Sequence, residues 1–169
     1  MAHLEALKSA DLFQSLSADQ LLSIAQLGHE KSFQRGEEIF KKGERARSLY
    51  ILLEGFVAVR VKDEDECDLM GSTFKEEGSV LGTAALLEPH IYNVTAEALR
   101  RTTTLVIEAP QLEEIMSRNA NIGFKVMTRL AHGYFKSLNT QRTGMINLFK
   151  VFRSQVHKSE VYDTYREIA

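Results

Sequence analysis

From Gly78 to Ala96 the sequence reads Gly-Ser-Val-Leu-Gly-Thr-Ala-Ala-Leu-Leu-Glu-Pro-His-Ile-Tyr-Asn-Val-Thr-Ala, and here the residue types and their spacing are suited to holding a ligand. Gly82 precedes the apolar run Ala84-Ala85-Leu86-Leu87, which fits one short helical turn before Glu88. Where a loop turns into a helix, backbone N–H groups converge and can hold an anion without a side-chain charge. Thr83 offers a hydroxyl, a weaker partner for a ligand hydroxyl than a carboxylate would be. His90 offers an imidazole, which donates one hydrogen bond at a time and is mostly neutral near neutral pH. The backbone of Gly82, Thr83, Ala84 and Ala85 is therefore a candidate ligand-binding element, and His90 and Tyr92, just after it, are singled out with it. Each also has a plainer reading: His90 as an ordinary loop residue, Thr83 as a bystander, and Tyr92, with Ile91, as a side chain that fills a pocket from within.

Catalytic chemistry finds no comparable set. His3, His29, His90, His132 and His157 are scattered, with no His-x-His pair and no carboxylate at a metal-ligand spacing. There is no nucleophile elbow, Walker loop or Cys-x-x-Cys-His haem attachment. The single cysteine, Cys67, rules out an intrachain disulfide framework and a cysteine-ligated cluster within one chain. It lies in the acidic run Asp63 to Asp68, which reads as a solvated hairpin tip, because five acids in a loop with no turn glycine make a poor cation site. Arg100-Arg101 reads as a solvated pair; neighbours on a strand face opposite ways, so at most one can turn inward.

The chain has 169 residues, 44% hydrophobic and 26% charged, which suits one domain with a substantial core. Its formal charge is −2, with Lys and Arg interleaved with acids, so no nucleic-acid binding is expected of this chain alone. No stretch approaches the roughly 18 apolar residues that span a bilayer, and no signal-peptide core opens the sequence. A cytoplasmic protein with no membrane partner is the expectation.

Ser17-Ala-Asp-Gln20 has the form of a capping box, and Gly28 a helix stop, so a helix is predicted over 18–27. From Lys31 to Ile107 short apolar segments punctuated by glycines predict a compact β sandwich or barrel. Val57, Val59 and Val61 should share one face of a strand. Tyr92, Val94, Ala96 and Thr102 to Ile107 read as closing strands, and Pro110 opens a short helix to about Met116. The last third is helical: Met127, Ala131, Tyr134, Leu138, Gln141, Met145, Leu148 and Phe152 alternate spacings of four and three, a heptad seam. A second stripe, Val126, Leu130, Phe135, Ile146 and Phe149, is expected to dock on the β domain, leaving the seam for a second subunit. Tyr134 belongs to the seam, or alternatively caps a ligand opening. Gly133 and Gly144 predict a kink or break.

The ordered set Leu12-Phe13 and Leu16, Phe33, Gly36 and Ile39, Gly43-Glu44, Leu49-Tyr50-Ile51, Gly55 with Val57 and Val59, and Gly82 onward resembles the cyclic-nucleotide-binding domain family over roughly residues 10 to 140. Within it the chain is similar to the sensor half of bacterial Crp/Fnr-type regulators. The resemblance implies a glutamate after the cassette glycine for the ribose and an arginine further on for the cyclic phosphate. Thr83 stands at the first position, and aligning Val94 and Ala96 with the family's strand puts His90 at the second. It is the resemblance that adds His90 and Tyr92 to the candidate site. Only Glu88 separates Leu87 from Pro89, about two residues fewer than the family pattern.

The expected fold is mainly β, a jelly-roll-like barrel with an N-terminal helix and a long C-terminal helix. The expected organisation is an N-terminal helical segment over 1–30, the β-barrel over 31–108, and a helical region over 109–169 with too few residues after the long helix for a DNA-reading domain. The implied function is noncatalytic sensing of a cyclic nucleotide or another small anion, weak for cyclic AMP, in a homodimer that signals to an output protein. The alternative is a dimerising scaffold that has lost its ligand.

Overall fold

The computed structural model describes residues 2–61 and 73–166. The acidic run Asp63 to Asp68 and Cys67 lie outside the described residues.

Two helices open the chain, α1 (Ala2–Ser9) and α2 (Ala18–Ala25). The Ser17 capping box forms as its residue types require: the Gln20 N–H donates to Ser17 Oγ at 3.4 Å, and the Ser17 N–H donates to Gln20 Oε1 at 3.1 Å. Helix α2 ends two residues before the predicted limit because its last turn tightens. There Leu27 N–H bonds the Ile24 carbonyl and Gly28 N–H the Ala25 carbonyl. Leu7, Phe13, Leu21 and Ile24 bury the apolar sides of this segment.

Eight strands follow among the described residues: β1 (His29–Phe33), β2 (Glu38–Phe40), β3 (Ser48–Glu54), β4 (Val57–Arg60), β5 (Thr73–Lys75), β6 (Val80–Leu81), β7 (Thr95–Ala98) and β8 (Thr102–Glu108). They form two four-stranded antiparallel sheets, ordered β1-β8-β3-β6 and β2-β7-β4-β5. Neither sheet closes, which corrects the expected barrel to a two-sheet jelly roll. The register His29↔Val106 and Tyr50↔Val106 makes β8 the centre of the first sheet. Its Leu105 and Ile107 are fully buried, together with Leu49 and Ile51 of β3. Strand β4 departs from simple alternation, since Val57 and Ala58 are both buried. Phe40 of one sheet meets Tyr50 of the other with ring centroids 5.7 Å apart, joining the sheets beside the 78–96 segment.

Helix α3 (Ala109–Arg118) carries Pro110 in its first turn, where the missing N–H has no intrahelical role. Asn119 then interrupts the helix and caps the next one, its Oδ1 accepting from the N–H groups of Asn121 and Ile122. Helix α4 (Ala120–Arg166) is 47 residues long and runs unbroken through Gly133 and Gly144, so the expected break there is corrected.

The chain divides into two compact units, Met1–Leu130 and Ala131–Ala169. The first gathers α1 to α3, both sheets and the start of α4. The second expected stripe is corrected in part. Val126 and Leu130 are buried in the first unit, whereas Phe135, Ile146 and Phe149 lie in the second and are exposed.

Candidate functional site

Residues Thr83–Leu86 form a single 3-10 turn, the short helical element that Gly82 and the alanine-leucine run predict. Gly82 enters it with φ 75°, the left-handed region that a Cβ disfavours. Space is also closed to a side chain: a Cβ on Gly82 would lie 2.8 Å from the Ser48 carbonyl oxygen and 3.2 Å from the Tyr92 ring. This glycine is therefore fixed by close packing of the turn onto β3 and Tyr92.

Tyr92 is buried beneath the turn. Its ring stacks on Phe40 at 4.1 Å, and its hydroxyl donates to the Ser48 carbonyl at 2.8 Å while accepting from the Ser48 N–H at 3.3 Å. The Ser48 hydroxyl in turn donates to Glu108 Oε1 at 3.0 Å, just ahead of α3. Burial pushes the Tyr92 phenol above the usual tyrosine range. Tyr50 is raised further, chiefly by burial and secondarily by the charge its neighbour Tyr92 would carry. Both phenols are neutral hydrogen-bonding groups at ordinary pH.

A small cavity of about 140 Å³ opens beside this turn. Phe40, Val59, Val80, Leu81 and Val94 supply its apolar walls, and Lys75, Gly82, Thr83, Ala84, Tyr92 and Asn93 the rest. Four of the six residues singled out in the sequence, Gly82, Thr83, Ala84 and Tyr92, thus meet at one opening. The other two do not line it. Ala85 is buried, and its carbonyl accepts from His90 Nδ1 at 2.9 Å, so the imidazole is turned onto the outgoing end of the turn. His90 itself has φ 56°, held by its N–H on the Leu87 carbonyl and its carbonyl receiving the Ala46 N–H. Ile91 is exposed, leaving Tyr92 as the side chain that fills space under the cassette.

Sequence reasoning missed Lys75 and Asn93. Lys75 is half-buried at the end of β5 and makes no ion pair among the described residues. It reaches the cavity because β5 pairs antiparallel with β4, Lys75 opposite Val57. Asn93 was legible only as part of the approach to β7. Neither arginine of the 100–101 pair lines the cavity; Arg100 donates to the Gly55 carbonyl at 2.9 Å, and Arg101 is exposed. Among the described residues no cluster of three or more His, Cys, Asp or Glu could hold a metal ion, and no helix is long and apolar enough to cross a membrane.

The profile of the cyclic nucleotide-binding domain matches residues 30–119. The chain belongs to this family. The match spans both sheets, the cassette turn and α3, and so contains the whole cavity. A solved structure from Geobacter metallireducens is 28% identical, covering 78% of this chain and 95% of its own, with a TM-score of 0.66. The sensor domain of a transcriptional regulator from Pseudomonas aeruginosa shares the fold at 19% identity, with coverage of 81% and 91% and a TM-score of 0.67. A Rhodopseudomonas palustris protein named as a potassium channel is 30% identical over 116 residues, 68% of this chain and 27% of that protein. A Drosophila melanogaster cGMP-dependent protein kinase is 27% identical over 66% of this chain and 12% of its own length. The chain thus spans about a quarter or less of these curated relatives.

Proposed function

We propose that this cyclic nucleotide-binding domain is a noncatalytic regulatory module whose cleft takes a small anion in place of a cyclic nucleotide, and that it works as a homodimer through α4. One observation carries the ligand reading: the opening measures about 140 Å³ and carries a cation, Lys75, beside the neutral Thr83 and Asn93. Pockets for drug-sized ligands run from about 300 to 1,000 Å³, and this opening lies below that range, which favours a phosphate-sized anion. A lone four-residue 3-10 turn has too little aligned dipole to hold an anion by itself. The ammonium of Lys75 supplies the charge, and Thr83 and Asn93 supply neutral donors. Thr83 stands where the resemblance implies a glutamate for the ribose, and Lys75, from β5, is the cation at the opening.

The dimer reading rests on the seam. Met127, Leu138, Met145, Leu148 and Phe152 are exposed on α4 at heptad spacing and await a partner surface. A second reading, a dimerising scaffold without a ligand, is favoured by the Phe40–Tyr92 stack at 4.1 Å, which fills much of the space under the turn.

Amide NMR with added inorganic phosphate separates the two. Saturable shifts confined to Lys75, Thr83, Ala84 and Asn93 support the small-anion reading. Their absence up to tens of millimolar phosphate and sulfate leaves the scaffold reading.

A further inference from the structure

Helix α4 carries a second feature that the seam does not use. Phe135, Arg142, Ile146, Phe149 and Arg153 follow one another at spacings of seven, four, three and four, which places them in one stripe along the helix. Phe135, Ile146 and Phe149 are 65%, 48% and 66% exposed. Each stripe residue follows a seam residue by one position, so the stripe is turned about 100° from the seam. It extends about 27 Å, or five helical turns.

Charge is segregated on this helix. Between Glu114 and Glu160 the sequence contains no acidic residue and eight Lys or Arg, although the chain as a whole is −2. No i, i+4 acid is available to neutralise Arg142 or Arg153, and neither makes an ion pair among the described residues. The stripe therefore sets solvent-exposed guanidinium groups with no acidic neighbour among its apolar anchors.

We propose that this stripe is the docking site for an acidic amphipathic helix of another protein, the output partner of the module. Apolar side chains of such a helix would cover Phe135, Ile146 and Phe149, and its carboxylates would pair with Arg142 and Arg153 in the bidentate geometry that guanidinium favours. A second copy of this chain is a poorer occupant, since apposed copies of the stripe bring arginine against arginine. A lipid surface is poorer too. Interfacial helices keep their cations on the polar face, whereas here the two arginines interrupt the apolar stripe itself.

The test uses the full chain and a synthetic Leu/Glu heptad peptide of about 21 residues, long enough to cover the stripe. Its Leu/Lys counterpart and vesicles with and without anionic lipid serve as controls. Fluorescence anisotropy should show salt-sensitive binding of the acidic peptide, weakened about tenfold or more by Arg142→Glu with Arg153→Glu, and by Phe135→Asp. Light scattering should show the oligomeric mass unchanged in these variants. Equal binding of the Leu/Lys peptide, or insensitivity to the arginine reversals, would overturn the proposal. So would capture by anionic vesicles in preference to the peptide. A change in the chain's own mass on Phe135→Asp would assign the stripe to self-association and refute it equally.

Discussion

His90 Nδ1 donates to the Ala85 carbonyl at 2.9 Å, so the one histidine of the cassette region closes the loop behind the 3-10 turn instead of lining the opening in front of it. Substituting the family's charged pair into the matched positions should therefore fail to restore nucleotide binding. Thr83→Glu with His90→Arg should leave cyclic AMP affinity unchanged in a fluorescent-nucleotide displacement assay. A gain of tenfold or more would show that position 90 reaches the ligand after all.

The same bond has a stability consequence. His90→Ala removes one side-chain hydrogen bond and should cost about 1 kcal/mol in urea denaturation. His90→Gly should cost less, because the φ of 56° is then free of the Cβ penalty. Equal losses for the two variants would mean that the left-handed backbone carries no strain.

Gly82→Ala should be more damaging, by about 2 kcal/mol or more. The new Cβ would combine a left-handed φ with a contact of 2.8 Å to the Ser48 carbonyl, and a backbone atom cannot swing aside. Thermal unfolding monitored by circular dichroism would detect this. A neutral substitution would show that the turn does not pack on β3 as described.

The buried phenols give an alkaline limit. Tyr50 and Tyr92 both titrate above their ordinary value of 10.0, because burial disfavours the phenolate. The folded state thus holds protons that the unfolded chain releases. Stability is intact below 10.0 and falls as pH rises above it. Melting temperature should decline over that range, with a shallower slope in Tyr92→Phe. An identical slope in the variant would remove Tyr92 from the linkage.

The seam is tested by Leu138→Asp with Leu148→Asp. Burying a leucine-sized side chain stabilises by roughly 1.5–3 kcal/mol, so two losses per subunit should convert a dimer to monomers at micromolar concentration. Light scattering checks the mass, and an unchanged near-ultraviolet spectrum checks that the β sheets remain folded. A native chain that is already monomeric at tens of micromolar would contradict the dimer.

What was legible in the sequence was local. The Ser17 box, Pro110 and the Gly82 turn each act on their immediate neighbours, and each appears where the residue types put it. The heptad spacing likewise announced a long helix, though not that it would pass through Gly133 and Gly144; helical residues on both sides cover the glycine penalty. Non-local facts were not legible. Closure of the sheets depends on which strands pair, and the pattern of short apolar segments serves a barrel and two open sheets alike. Lys75 escapes the sequence reading, although a hairpin tip is expected before it, because the register that sets Lys75 opposite Val57 is not written in that tip. Phe135, Ile146 and Phe149 share a helical period with Val126 and Leu130, and period alone cannot say where the body they would dock on ends.

Calorimetric titration of the native chain with inorganic phosphate and with cyclic AMP, repeated on Lys75→Ala, tests the small-anion cleft most directly. Phosphate should bind saturably to the native chain and lose about tenfold or more in affinity in Lys75→Ala, while cyclic AMP gives no submicromolar dissociation constant for either protein. Submicromolar binding of cyclic AMP, or phosphate binding indifferent to Lys75, would contradict it.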